Sequence, residues 1–108
     1  MAKRFGQMIR IKPGDLEQYK KYHANPFPGV NEMIRKCHLK NYSIYSRGDY
    51  LFTYFEYDGD DYDRDMAMMA ADPATQDWWD HVKPLMQPLD DRKEGEFWSD
   101  MEEIYHLD

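Results

Sequence analysis

With Cys37 as its only cysteine, the chain has neither an internal disulfide nor a thiolate cluster for a metal. No apolar run follows Lys3 and Arg4 as a signal peptide would require, and none later is long enough to span a bilayer. A reducing cytoplasm is therefore the expected compartment. Positive charge is scarce: 14 Lys and Arg stand against 21 Asp and Glu, for a formal net charge of -7. That balance opposes binding to phosphate backbones and anionic membranes, so neither nucleic acid nor a membrane is an expected partner. Also missing are an HExxH motif, a Gly-rich phosphate loop and a nucleophile elbow, which removes the main support for zinc protease, nucleotide and serine hydrolase chemistry. The acidic run Asp58, Asp60, Asp61, Asp63 and Asp65 lacks the glycine and the terminal glutamate of a calcium loop, with Met69 at the twelfth position. It reads as a solvated helix start, and no metal or cofactor is expected.

What the chain does have is aromatic surface. The aromatic share is 16% and includes nine tyrosines, residues that pack with the ring and hydrogen-bond with the hydroxyl. At 108 residues and 13.1 kDa it reads as one domain over 1–108, with a modest core and no room for a separate cofactor domain.

Arg4 to Lys12 predicts a strand with Phe5, Gln7, Ile9 and Ile11 on one face. Pro13-Gly14 ends it, and Asp15 is the expected side-chain cap of a helix in which Leu16, Tyr19 and His23 share a face. Pro26 and Pro28 break that helix. A second short helix follows, with Val30, Met33, Ile34 and Cys37 on its buried side. Asn41–Ser46 and Tyr50–Tyr57 predict an antiparallel hairpin turned by Arg47-Gly48-Asp49. On its second strand Leu51, Thr53, Phe55 and Tyr57 face one way and Tyr50, Phe52, Tyr54 and Glu56 the other. A Met-rich helix then runs through Met66, Met69 and Ala70. Asp72-Pro73 is a start signal for the next helix, which carries Trp78 and Trp79. The last strand is expected from Met101 to His106. Strand, helices, hairpin, helices, strand is the α+β ferredoxin-like split β-α-β order. Its sheet has helices on one face only, so a second copy is the expected cover for the other, giving a homodimeric α+β barrel.

Among candidate chemical groups, His23 can give and accept protons near neutral pH. A lone helical histidine beside a proline break is more often a packing residue, but Tyr19 one turn earlier supplies a phenol to orient it or to meet a ligand. His38, His81 and His106 read as surface residues. Trp78 and Trp79 lie about 100° apart on a helix, so one is expected to pack and the other to be free to stack on a ligand. Tyr42 and Glu56, on the two hairpin strands, are further candidates. Glu56 hydrogen-bonds a ligand, pairs with Arg4 or Arg10, or faces water; its sequence position is compatible with all three.

In order along the chain, Lys3-Arg4-Phe5-Gly6, Glu17-Gln18-Tyr19-Lys20-Lys21-Tyr22-His23, Asn41-Tyr42-Ser43-Ile44-Tyr45, Ala71-Asp72-Pro73 leading to Trp78-Trp79, and Met101-Glu102-Glu103-Ile104-Tyr105-His106-Leu107 resemble the L-rhamnose mutarotase family. The resemblance implies a cofactor-free dimeric α+β barrel that interconverts the α and β anomers of L-rhamnose. It also implies a proton donor at His23 and sugar contacts from Tyr19, Tyr42, Trp78 and Trp79. One departure is Phe27-Pro28-Gly29, where relatives typically carry a Trp-Pro pair: Phe27 would preserve an aromatic wall without the indole N–H, so the sugar or its orientation would differ. The base for the anomeric hydroxyl is open between Glu56, a tyrosine and water. The competing class is a dimeric α/β-barrel monooxygenase or stress-responsive protein whose cavity takes an aromatic or quinone-like ligand. A catalytically silent sugar-binding module is a third.

Overall fold

The computed structural model describes residues 2–108. The first strand, β1, covers Lys3–Ile11, and helices α1 (Leu16–Ala24) and α2 (Val30–Lys36) follow it. Strands β2 (Leu39–Arg47) and β3 (Tyr50–Tyr57) form the hairpin. Helices α3 (Tyr62–Ala71) and α4 (Pro73–Val82) come next, then a 3-10 turn over Lys83–Leu85. Two short strands, β4 (Met86–Gln87) and β5 (Ser99–Met101), complete the sheet. The order across it is β2-β3-β1-β4, with β5 also paired to β1, and each pairing is antiparallel. This is the ferredoxin-like α+β arrangement.

Alternation decides which face meets the helices. Ile9, Ile11 and Leu51 cluster with Tyr19, Val30, Trp78 and Val82, while Phe55 and Tyr57 cluster with Cys37, Leu39 and Met69. Every buried residue of the long strand β3 is odd-numbered, Leu51 through Tyr57, as a strand with one covered face requires. The even-numbered side carries Phe52, Tyr54 and Glu56 and faces away from the helices.

Helix boundaries follow their caps. Asp61 accepts a hydrogen bond from the Arg64 amide and Asp72 from the Thr75 amide, each in extended backbone geometry. Asp15 does not do this. Its φ of -100° and ψ of -4° put it in the helical region and no side-chain cap forms, because an extended backbone is what aims an N-cap carboxylate at the following amides. Only its carbonyl serves, accepting from the Tyr19 amide.

Two further expectations change. The last strand is Ser99–Met101, not Met101–His106, and residues 102–108 carry no regular structure. The apolar side chains of that tail, Ile104, Tyr105 and Leu107, are exposed. The hairpin strand β2 also begins at Leu39, two residues before the expected Asn41, and contains a register shift between Lys40 and Ser43.

Candidate active site

The register shift in β2 is what aims Tyr42. Lys40 pairs with Glu56 and Ser43 with Tyr54, so Asn41 and Tyr42 together stand opposite Phe55, the two-against-one geometry of a β-bulge. Asn41 takes the left-handed conformation, φ 50°, at the extra position. Strict alternation would put Tyr42 on the outer face with Lys40; the bulge turns it inward, where its ring stacks on Phe55 at 5.2 Å and 12°. Glu56 holds the arrangement from the other side, accepting from Asn41 Nδ2 at 3.0 Å and from the Tyr54 hydroxyl at 2.7 Å. Those two donors hold its carboxyl below the usual carboxylate range.

Between the sheet and the helices lies a cavity of about 930 Å³, lined by Tyr19, His23, Tyr42, Trp78 and Trp79 among others. All five sequence candidates are therefore brought together, from α1, β2 and α4. Glu56 is not with them. It lines a separate depression on the helix-free face with Arg4 and Tyr54, apart from that cavity.

His23 is oriented from its own helix. Its Nδ1 lies 2.8 Å from the Tyr19 carbonyl oxygen; a carbonyl only accepts, so Nδ1 carries the hydrogen and Nε2 keeps the lone pair. Nε2 has no protein partner among the described residues. The ring stacks on Tyr19 at 4.2 Å and meets Trp78 edge-on at 5.1 Å. Burial lowers the imidazole pKa from its ordinary 6.5, and the bond to the Tyr19 carbonyl opposes that shift. Burial also pushes the Tyr19 phenol up, so its hydroxyl stays protonated at physiological pH.

The two tryptophans divide the work differently from the simple expectation that one packs and one is free. Trp78 is 7% exposed and belongs to the core, while Trp79 is partly exposed and bridges both core clusters; both also line the cavity. Phe27 does not. It stands behind Trp78, edge to face at 5.2 Å, and also meets Tyr22 and His81. The aromatic wall expected of Phe27 is thus a support for the indole in front of it. His81 is exposed, with Nδ1 on the Asp77 carbonyl.

Sequence reasoning missed Lys83, whose Nζ sits 4.2 Å from the Trp79 ring centre and 5.1 Å from that of Phe97, at the cavity wall. Its position four residues after Trp79 on a helical path was the available signal.

The family model and two curated relatives that the chain matches agree on the family. The family model described as L-rhamnose mutarotase matches residues 4–107. An L-rhamnose mutarotase from Ligilactobacillus salivarius is 33% identical over 113 residues, covering 100% of both chains. One from Oceanobacillus iheyensis is 28% identical over 108 residues, covering 98% of this chain and 99% of that one. Among solved structures, an L-rhamnose mutarotase from Formosa agariphila superposes with a TM-score of 0.75 at 18% identity, covering 98% of this chain and 99% of that one. Tetracenomycin F2 cyclase from Streptomyces glaucescens does so with 0.73 at 20%, covering 98% and 97%. These two structures share the fold.

Proposed function

The chain belongs to the L-rhamnose mutarotase family, and we propose that it exchanges the α and β anomers of an aldose, L-rhamnose or a closely related sugar, by acid–base catalysed ring opening with His23 as proton donor. The observation that carries this reading is the fixed tautomer of His23. Its Nδ1–H is tied to the Tyr19 carbonyl, and its unpartnered Nε2 is the nitrogen left to trade a proton with a ligand in the cavity.

Anomer exchange needs no redox step and no group transfer. The protonated imidazole gives its Nε2 proton to the pyranose ring oxygen, the bond from that oxygen to the anomeric carbon breaks, and the anomeric hydroxyl loses its proton as the aldehyde forms. Rotation about the bond from the aldehyde carbon to its neighbour, followed by closure on the opposite face, returns the proton to His23. With Glu56 on the far side of the sheet and Tyr19 held neutral, we assign the acceptor for the anomeric proton to water in the cavity mouth. Tyr19, Tyr42, Trp78 and Trp79 hold the sugar: phenols meet its hydroxyls, and indole faces cover its C–H surface. Hydroxyl and amide groups from Tyr19, Tyr42, Asn31 and Gln7 in the lining favour a polyol over the aromatic ligand of a monooxygenase. A second copy of the chain covering the helix-free sheet face completes the reading, and the buried, unpaired Cys37 suits a cytoplasmic enzyme.

Saturation-transfer NMR on a panel of aldoses tests this. His23→Ala is expected to remove a factor of roughly 10²–10⁴ in exchange rate while leaving the circular dichroism spectrum unchanged. Unaltered exchange in that variant overturns the assignment, and saturable binding of L-rhamnose without faster exchange would make the protein a binding module.

A further inference from the structure

Along the inner face of β1, Phe5, Ile9 and Ile11 are apolar and Gln7 is not. Strand alternation puts all four on the side that meets the helices, and Gln7 is half-buried in the cavity lining. An amide set in a row of core residues loses water and needs partners. One is Asp100, which stands opposite Gln7 in the register of β1 with β5 and accepts from Gln7 Nε2 at 2.7 Å. On its other side Gln7 faces Thr53 of β3. Thr53 is fully buried and gives its hydroxyl hydrogen to the Ser43 carbonyl, so it has none left for Gln7.

The bond to Asp100 decides which way the amide is turned. A carboxylate only accepts, so the nitrogen faces Asp100 and the carbonyl oxygen Oε1 is turned from it. Oε1 has no protein partner among the described residues. A negative charge on the N–H side also polarises the amide and makes its oxygen a better acceptor. Asp100 itself is exposed and outside the cavity lining, so Gln7 is what joins it to the cavity wall. Gln7 is a diagonal neighbour of Phe55 across β1 and β3, and Phe55 is the ring on which Tyr42 stacks.

We propose that Gln7 is a further sugar-contact residue, its Oε1 accepting from one hydroxyl of the bound aldose, and that Asp100 is the positioning residue that holds the amide this way round. The inference rests on the sugar-binding reading above and adds a selective contact to it. Indole faces cover C–H surface, and a phenol hydroxyl both gives and takes a hydrogen bond. An amide oxygen accepts and never donates. The site therefore asks for a hydroxyl hydrogen at one ring position and penalises a sugar that lacks it there.

Affinity is read by calorimetry and anomer exchange by saturation-transfer NMR on the intact protein. The probes are L-rhamnose and its 1,5-anhydro, 2-deoxy, 3-deoxy and 4-deoxy analogues, each lacking one hydroxyl. Gln7→Leu should weaken L-rhamnose binding about five- to tenfold with kcat nearly constant. One analogue is expected to bind the parent that much more weakly than L-rhamnose does, and Gln7→Leu should bind that analogue and L-rhamnose alike. Asp100→Ala, at an exposed position where the fold is not at stake, should cause a smaller loss of about threefold in the parent. It should cause none in Gln7→Leu, because the two residues act as one unit. Asp100→Asn, whose carbonyl still accepts from Nε2, should recover most of the affinity. The proposal is overturned if Gln7→Leu binds L-rhamnose as the parent does, if the analogues lose equally in parent and variant, or if Asp100→Ala acts alike in both backgrounds. Exchange by the parent alongside any of those results leaves the mutarotase reading standing. Binding with the stated hydroxyl preference but without exchange upholds Gln7 and rejects the mutarotase, and a parent that neither binds nor exchanges L-rhamnose overturns both.

Discussion

The imidazole of His23 and the phenol ring of Tyr19 are stacked 4.2 Å apart at 30°, and the same Tyr19 supplies the carbonyl that fixes the His23 tautomer. One residue therefore orients the other twice, once through its backbone and once through its side chain. Helical spacing of four makes both contacts possible.

The pH profile follows from that pair. Donation to the ring oxygen requires the imidazolium, and burial lowers the His23 pKa from 6.5, so the donor form is a minority at neutral pH and grows as pH falls. The exchange rate should fall about tenfold per pH unit above the His23 pKa if His23 acts only as an acid. A profile that rises with pH would instead make His23 the base. The same shift acts on stability with a definite sign. The unfolded histidine takes its proton near 6.5 and the folded one at lower pH, so its stabilisation is present above the unfolded pKa and is lost as pH falls through the folded one. His23→Gln should blunt that part of the acid sensitivity of Tm.

Tyr19→Phe tests the hydroxyl separately from the ring. Stacking on His23 and the backbone carbonyl both survive the change, and the phenol hydroxyl has no protein hydrogen bond to lose among the described residues. A sugar hydroxyl that pairs with it would lose about 1 kcal/mol of binding, seen as a several-fold rise in KM with the pH profile unmoved. A changed pH profile with constant KM would mean that the hydroxyl works through His23.

Much of this arrangement is legible in the sequence, and the exceptions have physical causes. The odd–even pattern of Leu51–Tyr57 fixes which side of β3 meets the helices, and Tyr19 and His23 fall together by helical period alone. The bulge at Asn41 leaves no pattern of its own, because a single extra residue reads as continued strand; its inward aim of Tyr42 depends on pairing with β3 and on the Asn41–Glu56 bond. The strand Met86–Gln87 lies between Pro84 and Pro88 and is too short for any period to show. Lys83 shows only its spacing of four from Trp79, because its second ring partner, Phe97, is brought to it by folding and not by a motif.

Phe27 supports the site from behind. Phe27→Ala removes the ring that meets Trp78, Tyr22 and His81, and for a partly buried phenylalanine the expected loss is about 2 kcal/mol of stability. Sugar affinity should fall as well, since Trp78 loses its backing; Trp78 fluorescence and chemical denaturation report the two effects. Phe27→Trp should keep most of both. A Phe27→Ala protein with unchanged denaturation would show that Trp78 stands without it.

Glu56 separates a positioning role from a catalytic one. Its carboxylate accepts from Asn41 and Tyr54 on the helix-free face, so Glu56→Ala should loosen the bulge and shift Tyr42. The expected result is a raised KM with kcat nearly constant. A loss of kcat by a factor of 10² or more, the mark of a missing general base, would bring Glu56 back into the chemistry.

The helix-free face makes the case for a second copy. Phe52 and Tyr45 stack there at 6.1 Å, with Tyr45 62% exposed and Met101 49% exposed beside them. The tail adds Ile104, Tyr105 and Leu107, each more than three-quarters exposed. A single chain gains nothing from presenting aromatic and aliphatic groups to water along a sheet, whereas two copies face to face bury them mutually in a closed two-fold contact. Phe52→Glu places a charge in each copy near the middle of that face, so removing it from water costs far more than an apolar contact returns. The variant is expected to sediment as a monomer while the parent sediments as a dimer. Because Phe52 points away from the cavity, the monomer should keep its secondary structure and the tautomer lock of His23. A parent protein that is monomeric at micromolar concentration would leave the face exposed in solution and end the dimer proposal.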